Sequence, residues 1–297
     1  NEMYLKKNII SYFININDFE KLNKVITKHK PSIVFHLAAQ PLVIESYKSP
    51  YITFDTNVLG SLNIIENIKI NKFIKSSIIV TTDKCYKNKN NKQKFVETDS
   101  LEGKDPYSWS KVCAEYIAKS YANDYFDKKN IGFSTARAGN VIGLGDYGQD
   151  RLITDIIKSI NQNRIIKIRN PNSIRPWQNV LDAILGYILL AQKSFNNNKF
   201  NGAWNFGPIK NEGLNVEQIT KMMIHKSNYS KNYKIVKSNF EEAKYLFLNS
   251  SKSTKELNWR PFFSINKTLE QIIEWNNVEN KKEYIESTIE NYLINCT

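Results

Sequence analysis

Ile78-Ile79-Val80-Thr81-Thr82-Asp83-Lys84-Cys85-Tyr86 is a short β-branched run that ends abruptly in polar groups. Its apolar half has no polar alternation, the pattern of a strand covered on both faces in a parallel sheet. In open α/β sheets the residues at the carboxyl ends of the strands face the ligand crevice, which makes Thr82 and Asp83 site candidates. About 25 residues on, Asp105-Pro106-Tyr107-Ser108-Trp109-Ser110-Lys111 opens a helix whose Tyr and Lys, at i and i+4, share one face. A nearby ammonium favours the phenolate and draws a tyrosine toward service as a general base. These residues also have plain structural uses: Thr82 and Asp83 suit a turn or helix cap, and Tyr and Lys at this spacing are common on solvated helices.

The alternation of strands and helices extends outward from these two segments. Further strands are expected at Ile9–Ile16, Ile33–Leu37 and Gly132–Ala136, with the quoted run forming Ser77–Thr81. Helices are expected over Asp18–Lys28, Pro50–Ile68 and Tyr107–Tyr125, the first stopped by Pro31, which lacks the amide needed to continue. The fold class is therefore α/β: a Rossmann-like parallel sheet flanked by helices. Beyond Gly143 the alternation loosens and Trp and Pro enter loops. That divides the chain into 1–140 and 141–297, the second a smaller C-terminal lobe over the strand ends with some return to the sheet.

Composition excludes several function classes. Hydrophobic residues make up 41% and charged residues 24% of 297 residues, as in an ordinary globular protein. No apolar run is long enough to span a bilayer, and the first residues lack the apolar core of a secretory signal, so a cytoplasmic protein without membrane contact is expected. Cys85, Cys113 and Cys296 are scattered and odd in number, and His29, His36 and His225 show no ligand spacing, so neither disulfide nor metal is expected. The net charge of +13 raises the question of nucleic acid, but no recognition motif accompanies it, and the run Lys87–Lys94 has no aromatic on which a base could stack. The charge would instead favour encounter with a polyanionic small molecule.

A longer set of segments carries a resemblance. It comprises Phe35-His36-Leu37-Ala38-Ala39-Gln40-Pro41, Thr56-Asn57-Val58-Leu59-Gly60, Thr82-Asp83-Lys84-Cys85-Tyr86 and Asp105-Pro106-Tyr107-Ser108. Arg137-Ala138-Gly139-Asn140-Val141-Ile142-Gly143, Ile168-Arg169-Asn170-Pro171, Ile174-Arg175-Pro176-Trp177-Gln178 and Trp204-Asn205-Phe206-Gly207-Pro208 complete it. In this order, the set resembles the extended short-chain dehydrogenase/reductase family, and within it the CDP-glucose 4,6-dehydratases. Lys84 after the strand-end Asp and the Arg-Pro-Trp-Gln segment point to that group.

The resemblance implies an NAD-dependent lyase acting on a nucleotide sugar, CDP-glucose, and a homodimer or higher homo-oligomer. It makes 1–140 a partial NAD-binding Rossmann domain and 141–297 mainly a nucleotide-sugar-binding lobe. It assigns Tyr107 as the base at the sugar 4-hydroxyl and Lys111 as its electrostatic partner and ribose ligand. Thr82 would bind the 4-oxygen and Asp83 would protonate the leaving 6-hydroxyl. Lys84 would stand where the C5 proton is removed, either as the base or as a cation that stabilises the enolate. Cofactor contacts are implied for Asn15, Ile16, Leu37, Ala38, Ala39, Gln40, Asn57 and Thr81 beside Tyr107 and Lys111. Substrate contacts are implied for Asn140, Arg151, Arg169 and Arg175, an arginine fork being suited to a diphosphate. Trp177 and Trp204 are expected in the core. Other dehydratases, epimerases and reductases of the family share Tyr107 and Lys111, and a cofactor-free, inactive fragment is the remaining alternative.

The family begins with strand, Gly-x-x-Gly-x-x-Gly and helix, because backbone must approach the dinucleotide pyrophosphate closely. The first glycine here is Gly60, and Asn15 stands where an Asp near the adenine is usual. A longer gene product carrying the glycine loop is therefore expected.

Overall fold

The computed structural model describes residues 9–209, 213–237 and 243–296. Four parallel strands form the central sheet in the spatial order Ile33–His36, Ser76–Val80, Gly132–Ala138, Gly202–Phe206. The register sets Ile33 beside Ser76, Ser76 beside Gly132 and Ser134 beside Gly202. The Gly132–Ala138 strand is buried along its whole length, as expected for a strand covered on both faces.

On one face, the helices Gly60–Ile70 and Pro106–Tyr121 pack Ile65, Ile68 and Ala118 onto Ile79 and Phe133. On the other, the Val180–Lys193 helix lays Ala183, Tyr187 and Leu190 against Trp204, Phe206 and Trp259. Gly186 permits that approach, since a Cβ there would lie 2.4 Å from the Phe206 ring. A third apolar cluster joins the helices Leu152–Asn161, Val216–Lys226 and Ile265–Asn277 around Ile156, Ile219 and Leu269. The Asn140–Ile142 strand, two residues past the carboxyl end of Gly132–Ala138, pairs with Trp177–Asn179 and leads into this cluster. Trp177 and Trp204 are both core.

Two expectations are corrected. Ile9–Ile16 forms no strand: no described strand runs beside it, and a β-branched run without a ladder partner has nothing to hold it in a sheet. Asn15 there accepts the Asp18 amide at 2.9 Å, turning the chain into the Phe19–His29 helix that Asp18 caps. The expected Pro50–Ile68 helix is interrupted. An α-helical Pro50–Phe54 passes through a π-helical turn, Asp55–Leu59, before Gly60–Ile70 resumes. The wider turn carries the fully buried Asn57, whose amide bonds outside the helix. The Pro106–Tyr121 helix likewise ends in a π turn, Ala122–Phe126. Among the described residues no helix is long and apolar enough to cross a membrane.

Candidate active site

The strand Ser76–Val80 delivers Thr82 to the cap of a 3-10 turn, Asp83–Cys85. The Thr82 hydroxyl accepts the Lys84 amide at 3.3 Å and donates to Asp83 Oδ1 at 3.2 Å. Across from it, Asp105 and Ser108 form a reciprocal capping box that fixes the start of the Pro106–Tyr121 helix. That start carries Tyr107, and one turn later Lys111 donates to the Val80 carbonyl at 3.2 Å. The Lys84 ammonium stands 5.9 Å from the Tyr107 ring centre. Thr82, Asp83, Tyr107 and Lys111 are all buried, so the four groups meet in a place with little water.

Burial governs their protonation. It pushes Asp83 up to about 6, against the opposing pull of Lys84, Arg175 and the Thr82 hydrogen bond. Asp83 Oδ2 is buried and has no hydrogen-bond partner among the described residues, which suits a carboxyl that holds a proton there. Burial lowers Lys111 to about 8, with Glu115 resisting. Burial also raises the Tyr107 phenol above its ordinary range, opposed by Thr82 and reinforced by Asp83 and Asp105. The expected lowering of Tyr107 by Lys111 is therefore not seen: desolvation of the buried phenolate is the largest influence on it. His36 behind them falls to about 4 through burial and the Lys111 charge, and bonds Ser61 Oγ at 3.0 Å.

A cavity of about 60 Å³ adjoins this cluster, with Lys84, Lys104, Arg175, Val43, Asn88 and Leu246 in its wall. A larger cleft of about 470 Å³ lies between Glu97–Leu101, the outer part of the Pro106–Tyr121 helix and Gly202. Neither is lined by Thr82, Asp83, Tyr107 or Lys111, but the small cavity reaches Lys84 and Arg175, and the large cleft reaches neither.

Residues 1–272 match the model of the GDP-mannose 4,6 dehydratase family. The chain belongs to that family. It is 42% identical to a CDP-glucose 4,6-dehydratase of Salmonella typhimurium over 272 residues, which are 89% of this chain and 76% of that protein. A UDP-glucuronate 4-epimerase of Thermodesulfobacterium geofontis is 26% identical over 93% of this chain and 81% of its own. The fold matches the crystal structure of a Bacillus anthracis dTDP-glucose 4,6-dehydratase in complex with NAD, with a TM-score of 0.80 at 20% identity, covering 95% of this chain and 84% of that one. The parallel sheet with flanking helices is thus the extended short-chain dehydrogenase/reductase fold that the motifs pointed to.

Against this GDP-mannose 4,6 dehydratase family background, the expected site residues fall into three groups. The first converges: Thr82, Asp83, Lys84, Tyr107 and Lys111, with Arg175 sharing a cavity wall with Lys84. Arg175 is buried and donates to the carbonyls of Ile174 at 2.9 Å and Ala243 at 2.6 Å. The second group supports it. Asn57 bonds both the Gln40 amide and carbonyl, at 2.8 and 3.0 Å, and reaches Ser110 at 2.9 Å, which ties the Gln40 segment to the Tyr107 helix. Leu37, Ala38 and Ala39 lie between the Ile33–His36 strand and that tie, the first two exposed.

The third group lies apart from the Tyr107 cluster. Thr81 turns its hydroxyl to Glu115. Arg151 pairs with Asp146 at 2.9 Å and Arg169 with Asp150 at 3.6 Å, both pairs at least partly exposed. Asn140 opens the strand beside Trp177, while Asn15 is exposed and Ile16 packs against Gly60. Sequence reasoning passed over Lys104, Val43 and Asn88 in the cavity wall, and also Glu115. The last had a legible signal: it follows Lys111 at i+4, as Lys111 follows Tyr107.

Proposed function

We propose that the protein converts CDP-glucose to CDP-4-keto-6-deoxyglucose, with NAD as its cofactor. The observation that carries this reading is Asp83, a buried carboxyl at about 6 with one unpartnered oxygen, standing beside the Tyr107–Lys111 pair. An epimerase needs no acid for a 6-hydroxyl, and a binding module needs no acid at all. The 42% identity to a relative named for the same conversion supports the choice of substrate.

The residues present fit the nicotinamide-ribose end of NAD. Lys111 spends one of its N–H bonds on Val80 among the described residues, so the ammonium retains donors for ribose hydroxyls. Tyr107, Lys111 and the Leu37–Gln40 segment at a strand's carboxyl end would hold that end, and Asn15 and Ile16 the adenine end. When bound, NAD supplies the hydride acceptor for C4 and the donor for C6.

Everything else falls to the chain. Thr82 donates a hydrogen bond to the 4-oxygen and orients it toward Tyr107. Tyr107, deprotonated with the help of the Lys111 and Lys84 charges, takes the 4-hydroxyl proton. Once C4 is a ketone, the C5 proton becomes acidic. Lys84 either accepts that proton as a neutral amine or, as the ammonium, stabilises the enolate while water takes the proton. Asp83 then gives its proton to the departing 6-hydroxyl, so water leaves across C5–C6. Arg175 holds the charged part of the substrate against Lys84. Asn140, Arg151 and Arg169, apart from that cluster, would serve as contacts for the nucleotide end, with 1–140 forming the cofactor side and 141–297 the nucleotide-sugar side. Incubating the full-length protein with NAD and CDP-glucose should yield a 4-keto-6-deoxy sugar by mass spectrometry. Inversion at C4 without loss of water would instead establish an epimerase, and no conversion of any nucleotide glucose would sink both readings.

The proposal includes a homodimer. Tyr51, Ile52, Leu59 and Tyr116 are 81%, 56%, 52% and 54% exposed on adjoining helices, an apolar face suited to a second copy. Light scattering should give twice the chain mass, and Leu59→Asp with Tyr116→Asp should halve it. A monomeric parent at high concentration would refute the dimer. A cytoplasmic location accords with three free cysteines.

A further inference from the structure

The segment Thr82-Asp83-Lys84 is held from both ends by one buried ion pair. Just before it, Thr81 donates its hydroxyl to Glu115 Oε1 and its amide to the Ala136 carbonyl at 2.9 Å. Just after it, Tyr86 Oη accepts from Arg137 Nη1 at 2.8 Å and donates to Asn205 at 2.7 Å. Glu115 and Arg137 join these ends through two parallel bonds, 2.9 Å from Nε to Oε1 and 2.7 Å from Nη2 to Oε2. Thr135 donates to Oε2 at 2.9 Å, so Thr81, Thr135 and the two guanidinium bonds occupy the four lone-pair directions of the carboxylate. The guanidinium also lies 4.9 Å from the Tyr86 ring centre, and that ring stacks on Phe95 at 4.8 Å. Glu115 and Arg137 are 4% and 3% exposed. Glu115 also sits one turn beyond Lys111 on the helix that bears Tyr107.

We propose that Glu115, Arg137, Thr81 and Tyr86 form a clamp that fixes the Thr82–Lys84 turn against Tyr107 and Lys111, making these four positioning residues for the dehydration. The 3-10 turn alone cannot do this. Its own backbone bonds, Cys85 to Thr82 and Tyr86 to Asp83, are both long at 3.4 Å. A rigid fork between flanking side chains can hold the acid and the hydroxyl at the distances elimination requires, where a small misplacement costs far more rate than binding. The inference rests on the dehydratase reading for its effect on turnover, but the clamp itself can be measured without catalysis.

Replacing Glu115 would strand the buried Arg137 charge and unfold the chain, so the test uses the ends of the clamp. Thr81→Val and Tyr86→Phe each remove one tie and leave the ion pair. Each variant should keep the thermal midpoint close to that of the parent. Its kcat should fall about tenfold to a hundredfold while the KM for CDP-glucose stays within about threefold. Amide exchange at Lys84, Cys85 and Tyr86, read by mass spectrometry on the ligand-free chain, should quicken about tenfold. Unchanged exchange in both variants overturns the clamp, as does a raised KM with an unchanged kcat. A parent chain that makes no keto sugar while the variants still exchange faster defeats the dehydratase reading and leaves the clamp standing.

Discussion

Tyr107→Phe should lower kcat for keto-sugar formation by about 10²- to 10⁴-fold and leave the affinity for CDP-glucose within about twofold. The substitution keeps the ring in its buried setting and removes only the hydroxyl. Because burial holds that phenol above its ordinary range, it is neutral in the ligand-free protein, and no charge is lost on replacement. Stability should therefore change little, and the loss should fall on the step in which the 4-hydroxyl proton is taken. Lys111 cannot replace the tyrosine: near 8 it is chiefly a cation at neutral pH, and a cation accepts no proton. Steady-state kinetics with equilibrium binding of CDP-glucose separate the two effects. A variant rate within tenfold of the parent would remove Tyr107 from the mechanism.

Much of this arrangement is legible in the residues because it follows from local rules. The Ser76–Val80 strand is an uninterrupted apolar and small-residue run, and a parallel strand's carboxyl end faces the crevice whatever surrounds it. Tyr107 and Lys111 share a face by helical spacing alone, and Asp105-Pro106 marks where that helix begins.

What escaped depends on distant partners. Ile9–Ile16 has strand composition, but a strand exists only beside another strand. The π turn at Asp55–Leu59 is tied to Asn57, whose bonds to Gln40 and Ser110 span 17 and 53 positions. The Glu115–Arg137 pair, 22 positions apart, required knowledge that the Gly132–Ala138 strand passes under the Tyr107 helix. The Arg-Pro-Trp-Gln segment favours Arg175 in the sequence, but nothing there tells that Arg151 and Arg169 pair with neighbouring carboxylates. Only packing distinguishes the buried arginine at the cavity from the two beside Asp146 and Asp150.

Asp83→Asn should nearly abolish dehydration and at the same time stabilise the protein at neutral pH. Asp83 is pushed from an ordinary 3.8 to about 6, chiefly by burial, even though Lys84, Arg175 and Thr82 all favour its charged form. A folded-state value above the unfolded one means that the protonated carboxyl favours the native state. Its contribution is complete below about pH 4 and disappears as pH rises through about 6. Above that, the native chain must bury a carboxylate, at a cost of roughly 3 kcal/mol relative to acid pH. Asn has nearly the same shape, keeps the acceptor for Thr82 and never ionises, although its amide meets the unpartnered position of Oδ2. The expected gain at pH 7.5 is therefore about 1–3 kcal/mol, read as a rise of several degrees in Tm that vanishes near pH 4. In catalysis the same change removes the proton meant for the 6-hydroxyl. Keto-sugar formation should fall about 10²- to 10³-fold, while C4 oxidation, which needs Tyr107, Lys111 and Thr82, continues. A 4-keto nucleotide that still carries its 6-hydroxyl should then accumulate in a single turnover and be visible by mass spectrometry. The two readouts test one cause, a carboxyl whose proton burial retains up to about pH 6, so that it can act as an acid. A stability offset independent of pH, or a variant that still expels water at the parent rate, would show that Asp83 does not hold that proton.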